Sequence, residues 1–198
     1  QSYFPWHCTF LNDANAGAFA EGIGSDLPSS FFYLSLSNTV GGAIFHDGNL
    51  LPGDAFRCGE AGHMTLIPGG RPCYCGKTGC VDAYCSARVL SDLSGGRLED
   101  FFLGLQKNNQ EYRSVWDTYL EHLAVVINNL HMILDYDIVL GGYVGSFLTP
   151  WLDTIRHLVA ERNTFEDDGS FVKLCTYQTG AAAYGAAMDV MEEFLRTV

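Results

Sequence analysis

The chain has 198 residues, with 11 Lys+Arg against 23 Asp+Glu and a formal net charge of −12, so it lacks the basic surface needed to grip a phosphate backbone. Hydrophobic residues make up 47% of it, and no apolar run is long enough to cross a bilayer. Nucleic-acid binding by this polypeptide itself and a membrane-spanning helix are both excluded, and cysteine usage without a signal-peptide pattern leads to a cytoplasmic expectation. The length suits one large domain or two small ones and can bury a core. No repeat, low-complexity tract or linker divides it. Because Gln1 leads almost directly into the apolar stretch PWHCTFL, a portion of a longer protein is expected.

In chain order, Trp6 to Leu11 reads as a short buried strand ending at Asn12-Asp13, which can cap a helix over ANAGAFAEGI. Ser30 to Ser37 and Gly41 to Phe45 read as strands, and His46-Asp47-Gly48-Asn49 as a hairpin turn before Leu50-Leu51. After an irregular, glycine-rich stretch, helices are predicted over Val81 to Leu90 and Leu98 to Gln106. From Glu111 to Leu134, apolar residues recur at three- and four-residue steps, the pattern of a long helix with one buried face. Asp137 to Leu140 is a buried strand stopped by Gly141-Gly142. A helix over Leu148 to Glu161, a strand over Phe171 to Thr176 and an alanine-rich helix over Ala181 to Leu195 complete the chain. Strands alternating with helices predict an α/β layered domain with a mixed sheet.

The irregular stretch carries the densest chemistry. GEAGHMTLIPGGRPCYCGKTGCVD, from Gly59 to Asp82, gathers His63, Cys73, Cys75 and Cys80, one imidazole and three thiols suited to a closed tetrahedral zinc site. A disulfide scaffold is the competing reading. Seven cysteines is an odd number, the chain is too long to need staples, and Cys-x-Cys is poorly spaced for a mutual bridge. Cys8, Cys58, Cys85 and Cys175 sit mostly among apolar or small residues and are read as small hydrophobes. Four protein ligands leave no open position, so the zinc is structural, and the flanking carboxylates Glu60 and Asp82 point to a polar ligand site beside it.

Asn12-Asp13 stands at a strand end next to a helix N-terminus. There Asp13 is either a plain cap or a rigidly placed general base. Ser37 to Gly42, SNTVGG, is either a hairpin turn or a turn that offers backbone N–H groups to a phosphate or sugar hydroxyl. Gly141-Gly142 has the position of a nucleotide-contacting turn, weak evidence alone. His122 and His131, nine residues apart, match no ligand pair and are read, like His157, as surface or core histidines. Glu192-Glu193 reads as a solvated helix face.

Together, LNDANAGAFAE, GEAGHM, CYCGKTGC and VDAYCS resemble the ROK family, which groups bacterial sugar kinases with sugar-responsive transcriptional repressors. The resemblance implies the ribonuclease-H-like actin/hexokinase-type fold, here the larger lobe with its zinc-binding loop. It implies Asp13 as catalytic base in a kinase member, with Asn12, Asp13, Gly42, Glu60, His63 and Asp82 on the sugar. It also implies His63, Cys73, Cys75 and Cys80 on zinc, and Gly141 and Gly142 against the adenosine of a nucleotide. Kinase members carry Gly-Thr-Gly where this chain has Ser37, Asn38 and Thr39, and a glutamate where it has Asp82. Lost glycines hinder close backbone approach to phosphates, because Ser and Thr are strained at positive φ.

The family's Asp-x-Gly-x-Thr phosphate loop and a helix-turn-helix are both missing from the sequence. The altered turn at Ser37, Asn38 and Thr39 leads to the preferred reading, the sugar-binding effector domain of a transcriptional regulator, reaching DNA only through a further N-terminal domain. The alternative is the C-terminal lobe of a hexose or N-acetylhexosamine kinase using ATP and Mg²⁺. A third is a structural zinc domain for oligomerisation. A sugar or sugar-phosphate ligand and a homo-oligomer are the expected partners.

Overall fold

β1 (Phe31–Leu36), β2 (Val40–His46) and β3 (Asn49–Leu50) form an antiparallel meander, and β4 (Asp137–Gly141) and β5 (Val172–Leu174) add parallel strands on the other side of β1. The resulting mixed sheet has the order β3-β2-β1-β4-β5 in this computed structural model, which describes residues 8–195 and 197. The β2–β3 turn places Asp47 at φ 47° and Gly48 at φ 79°, the pair of positive values that a two-residue type I′ hairpin requires.

Every residue of β1 is buried, because helices cover both faces of the sheet. Phe32, Leu34 and Leu36 point into one core with Trp116, Leu123 and Ile127 of the long helix α5 (Gln110–Leu134). Phe31 and Tyr33 point the other way, against Ala18 and Phe19 of α1 (Asp13–Gly24) and Ala181 of α8 (Ala181–Leu195). At about 1.5–3 kcal/mol for each large apolar side chain fully buried, this alternation along β1 fixes its register firmly. Asn12 caps α1, its side chain accepting from the N–H groups of Ala14 and Asn15 at 3.0 and 3.2 Å. Asn109 does the same for α5, which ends at Asp135 in the left-handed conformation.

The predicted strand over Trp6 to Leu11 is not formed where it can be seen. Trp6 lies outside the described residues, positions 8–11 make no strand, and Phe10 is 97% exposed. The helix predicted over Val81 to Leu90 breaks into α2 (Asp82–Cys85) and α3 (Arg88–Ser91). Ser86 turns extended (ψ 158°), and Ala87 then donates its N–H to Ser37 O at 2.8 Å, a bond that ties this segment to the end of β1. α4 (Leu98–Gln106) matches its expected span, and α6 (Gly142–Gly145) follows Gly141 directly. The helix expected from Leu148 begins as a 3₁₀ turn containing Pro150 and becomes α7 (Leu152–Ala160).

Candidate functional site

The N-terminus of α1, the β1–β2 turn, the β4–α6 turn and the start of α8 surround one cavity of about 240 Å³. Asp13, Ser37, Asn38, Thr39, Gly142 and Tyr143 are among its lining residues. Asp13 is exposed at the mouth, and the hydrogen bond it accepts is local, from the Ala14 N–H at 2.9 Å. Asn12 is engaged in capping, so its amide fixes the direction in which α1 presents Asp13.

The turn at positions 37–39 uses no positive φ. Ser37, Asn38 and Thr39 therefore sit there without backbone strain, and the expected penalty for lost glycines does not arise. What differs from a glycine turn is the side-chain bulk facing the cavity. Gly142 does need to be glycine: its φ is 77°, and a Cβ there would stand 2.7 Å from Leu36 N.

Tyr33 forms the floor, with its ring end against Gly141, where a Cβ would come within 2.1 Å of the hydroxyl. That hydroxyl donates to Cys175 Sγ at 3.9 Å. Burial, followed by the neighbouring Cys175 and Glu21, pushes the Tyr33 phenol up. Burial and the Glu21 charge likewise push the Cys175 thiol up to about 12. Glu21 is wholly buried and accepts the Tyr177 N–H at 2.9 Å, which anchors the turn that carries Gln178 and Thr179 into the cavity. Sequence reasoning missed Tyr33, Tyr143, Gln178 and Thr179. The last two follow a parallel strand and precede a helix, where ligands commonly bind in α/β sheets, and that position was the available signal.

Glu60, His63 and Asp82 do not line this cavity; they belong to the cysteine loop, which packs on β2. The contact between loop and strand is backbone on backbone. Gly59 has φ 87°, and a Cβ on Gly42 would lie 2.6 Å from Gly59 O. Glu60 and His63 are exposed at either end of the short turn Ala61–His63. Asp82 is 6% exposed, and its Oδ1 accepts the Val40 N–H at 2.6 Å, tying α2 to the first residue of β2.

One donor atom from each of His63, Cys73, Cys75 and Cys80 lies within 4.8 Å of the others, and Cys75 and Cys80 Sγ are 3.7 Å apart. The three cysteines are free thiols. The Lys77 backbone bond draws the exposed Cys75 thiol below the usual cysteine range, while burial and the adjoining thiols push Cys80 up to about 11. Three thiols and an imidazole this close fit a tetrahedral cation of the zinc type. Tyr74, between two of the cysteines, holds its hydroxyl 3.2 Å from His63 Nε2. Burial first, then the charges of Asp82, Cys73 and Glu60, raise its phenol, so Tyr74 stands in the field of both carboxylates.

Residues 1–193 match the ROK family profile. The N-acetylmannosamine kinase of Salmonella typhi is 30% identical over 188 residues, covering 90% of this chain and 62% of that protein. The ROK hexokinase of Thermus thermophilus superposes with a TM-score of 0.73 at 25% identity, covering 90% of this chain and 65% of the other. A ROK family transcriptional regulator, homologous to the E. coli MLC protein, superposes with a TM-score of 0.70 at 21% identity over 89% of this chain and 51% of its own. The fold is thus the ribonuclease-H-like, actin/hexokinase type. The chain spans 62% of the length of the Salmonella relative.

Proposed function

The chain belongs to the ROK family, and from that premise we propose that it is the larger lobe of an ATP-dependent sugar kinase acting on a hexose or N-acetylhexosamine. The observation that carries this reading is the shared cavity. Asp13, the β1–β2 turn and Gly142 open onto one space, so a base and a phosphate-facing turn stand where a sugar hydroxyl and a nucleotide could meet. MgATP supplies the phosphoryl group. Asp13 accepts the proton of the attacking hydroxyl, and Gly142 lets a nucleoside lie close to the backbone. Glu60 and His63, on the cysteine loop outside that cavity's lining, would have to reach the sugar ring from the β2 side. A structural zinc on His63, Cys73, Cys75 and Cys80 holds the loop that carries Glu60 and Tyr74 in position.

A regulator's effector domain is the second reading. Ser37, Asn38 and Thr39 favour it, because their side chains occupy the cavity wall where kinase members have Gly-Thr-Gly. The intact protein separates the two. Incubated with MgATP and N-acetylmannosamine or glucose, a kinase forms ADP and a sugar phosphate in equal amounts. Sugar binding by calorimetry with no turnover on any common hexose assigns the regulator instead.

A further inference from the structure

The C-terminal end of α5 holds a second cluster, far in the sequence from the cysteine loop. His131, Asp135 and Glu166 each place one ligand atom within 4.8 Å of the others, beside a cavity of about 310 Å³ that they line with Met132 and Phe165. His131 is only 7% exposed, and its ring stacks on Phe171 with centroids 3.6 Å apart. Its Nδ1 lies 2.8 Å from Tyr136 O, a carbonyl that can only accept, so the proton of the neutral ring is on Nδ1. Nε2 then turns a lone pair toward Glu166 Oε2 at 3.4 Å, and that oxygen is buried with no hydrogen-bond partner. Two acceptors facing each other repel unless a cation lies between them, either a proton on Nε2 or a metal ion.

The surroundings are rigid. Asp135 ends α5 at φ 55°, a left-handed conformation that Asp and Asn tolerate. The Asn163 side chain accepts the N–H groups of Phe165 and Glu166 at 2.7 and 2.9 Å, and it donates to Asn128 of α5 at 3.2 Å. The nearby carboxylate of Asp137 is directed to Lys173, 3.8 Å away. A histidine whose Nδ1–H is fixed by a backbone carbonyl, with Nε2 facing the Glu166 carboxylate and Asp135 within the same cluster, has the usual second-sphere arrangement of a metal-ligating imidazole.

We propose that His131, Asp135 and Glu166 bind one divalent cation of the manganese or zinc class, which clamps the end of α5 to the segment that leads into β5. The imidazole nitrogen suits zinc and the two carboxylates suit manganese, and the open cavity leaves room for water as the remaining ligands. The sequence could show His131 and Asp135 one helical turn apart, but not Glu166, which the fold brings in from beyond α7.

The test is a Mn²⁺ titration of the intact, nucleotide-free protein followed by electron paramagnetic resonance, with a parallel Zn²⁺ titration by calorimetry after the cysteine loop is saturated. The thiolates there hold zinc in preference to manganese. One ion per chain is expected, with affinity reduced about tenfold or more in Asp135→Asn and in Glu166→Gln. Both substitutions preserve shape, and binding is read without any kinase activity. Failure of both cations to bind, or affinity unchanged in the two variants, overturns the proposal. So does a persistent His131 Nε2–H signal in the ¹⁵N spectrum under saturating metal, which assigns the pair to a proton.

Discussion

Gly42 and Gly59 cross so closely that a Cβ on Gly59 would stand 2.5 Å from the Gly42 carbonyl oxygen. This crossing seats the loop of Glu60 and His63 on β2, and thereby on the strand next to the one that floors the cavity. Gly59→Ala forces a methyl both into a left-handed backbone and against another backbone. A loss of about 2 kcal/mol or more is expected, read as a lowered denaturation midpoint. Sugar affinity should fall further than stability alone explains. Unchanged sugar binding in the folded variant would mean that Glu60 and His63 do not contact the ligand.

Asp13→Asn separates catalysis from folding. The carboxylate is exposed, the helix cap is Asn12, and the variant gives up only a charge near the α1 N-terminus, worth about 0.3–1 kcal/mol. On the kinase reading, turnover drops by roughly 10²–10⁴-fold, the usual contribution of a positioned base, while the thermal midpoint moves little. Steady-state rates beside calorimetric melting check it, and a variant that keeps its rate removes Asp13 from the chemistry.

Chelation gives a readout for the cysteine loop. With zinc in place, Cys73, Cys75 and Cys80 should resist alkylation. After removal, Cys75 should be labelled before Cys80, because Cys75 is exposed with a lowered pKa while Cys80 is buried with a raised one. Cys85 and Cys175, buried elsewhere, stay unlabelled until the chain unfolds. Peptide mass spectrometry resolves the order, and labelling indifferent to chelator argues against a bound metal. On the proposed reading, in which a metal on the cysteine loop positions Glu60 and His63 for the sugar, sugar affinity should weaken on the same treatment.

Alkaline pH probes the buried floor of the cavity. Burial raises Cys175 from 9.0 to about 12 in the folded chain, so the folded state holds that proton more tightly than the unfolded one. Its contribution is complete below about pH 9 and is lost as pH rises through about 12. Tyr33, Cys85 and Tyr119, all raised by burial, act in the same direction. Denaturant midpoints should be flat from neutrality to about pH 9 and fall beyond it, with a shallower fall in Cys175→Ala. A profile identical in both proteins removes Cys175 from the linkage.

The parts of this fold legible in the sequence were those set by local pattern. α4 and α5 follow from apolar spacing, α8 from its alanine-rich run, and the β2–β3 turn from Asp47-Gly48. The cysteine loop was legible because thiols and glycines at such short spacing have few other uses. What escaped was decided by distant contacts. Ser86 breaks a helix because Ala87 finds Ser37, and Tyr33 lines a cavity because Gly17 and Gly141 leave room for its ring. The turn at Ser37, Asn38 and Thr39 shows the reverse case. Residue types pointed to strain, but the φ values that decide strain were not in the sequence.

Asp82 holds two possible tasks that substitution can separate. Its Oδ1 takes the Val40 N–H in a buried place, so Asp82→Ala leaves that donor without a partner, at about 1–3 kcal/mol. Asp82→Asn keeps an oxygen acceptor at the same length and should cost less, because only the charge on the bond is lost. If Asp82 also contacts sugar, Asn at this position weakens sugar binding out of proportion to its small effect on stability. If it serves only to pin α2 to β2, affinity and stability move together across both variants. The shorter aspartate suits the pinning role, since a glutamate would carry its carboxylate one methylene beyond the 2.6 Å contact with Val40. Asp82→Glu should therefore lower the melting midpoint, and a gain in sugar affinity at the same time would show that the family's longer side chain reaches the ligand from this position.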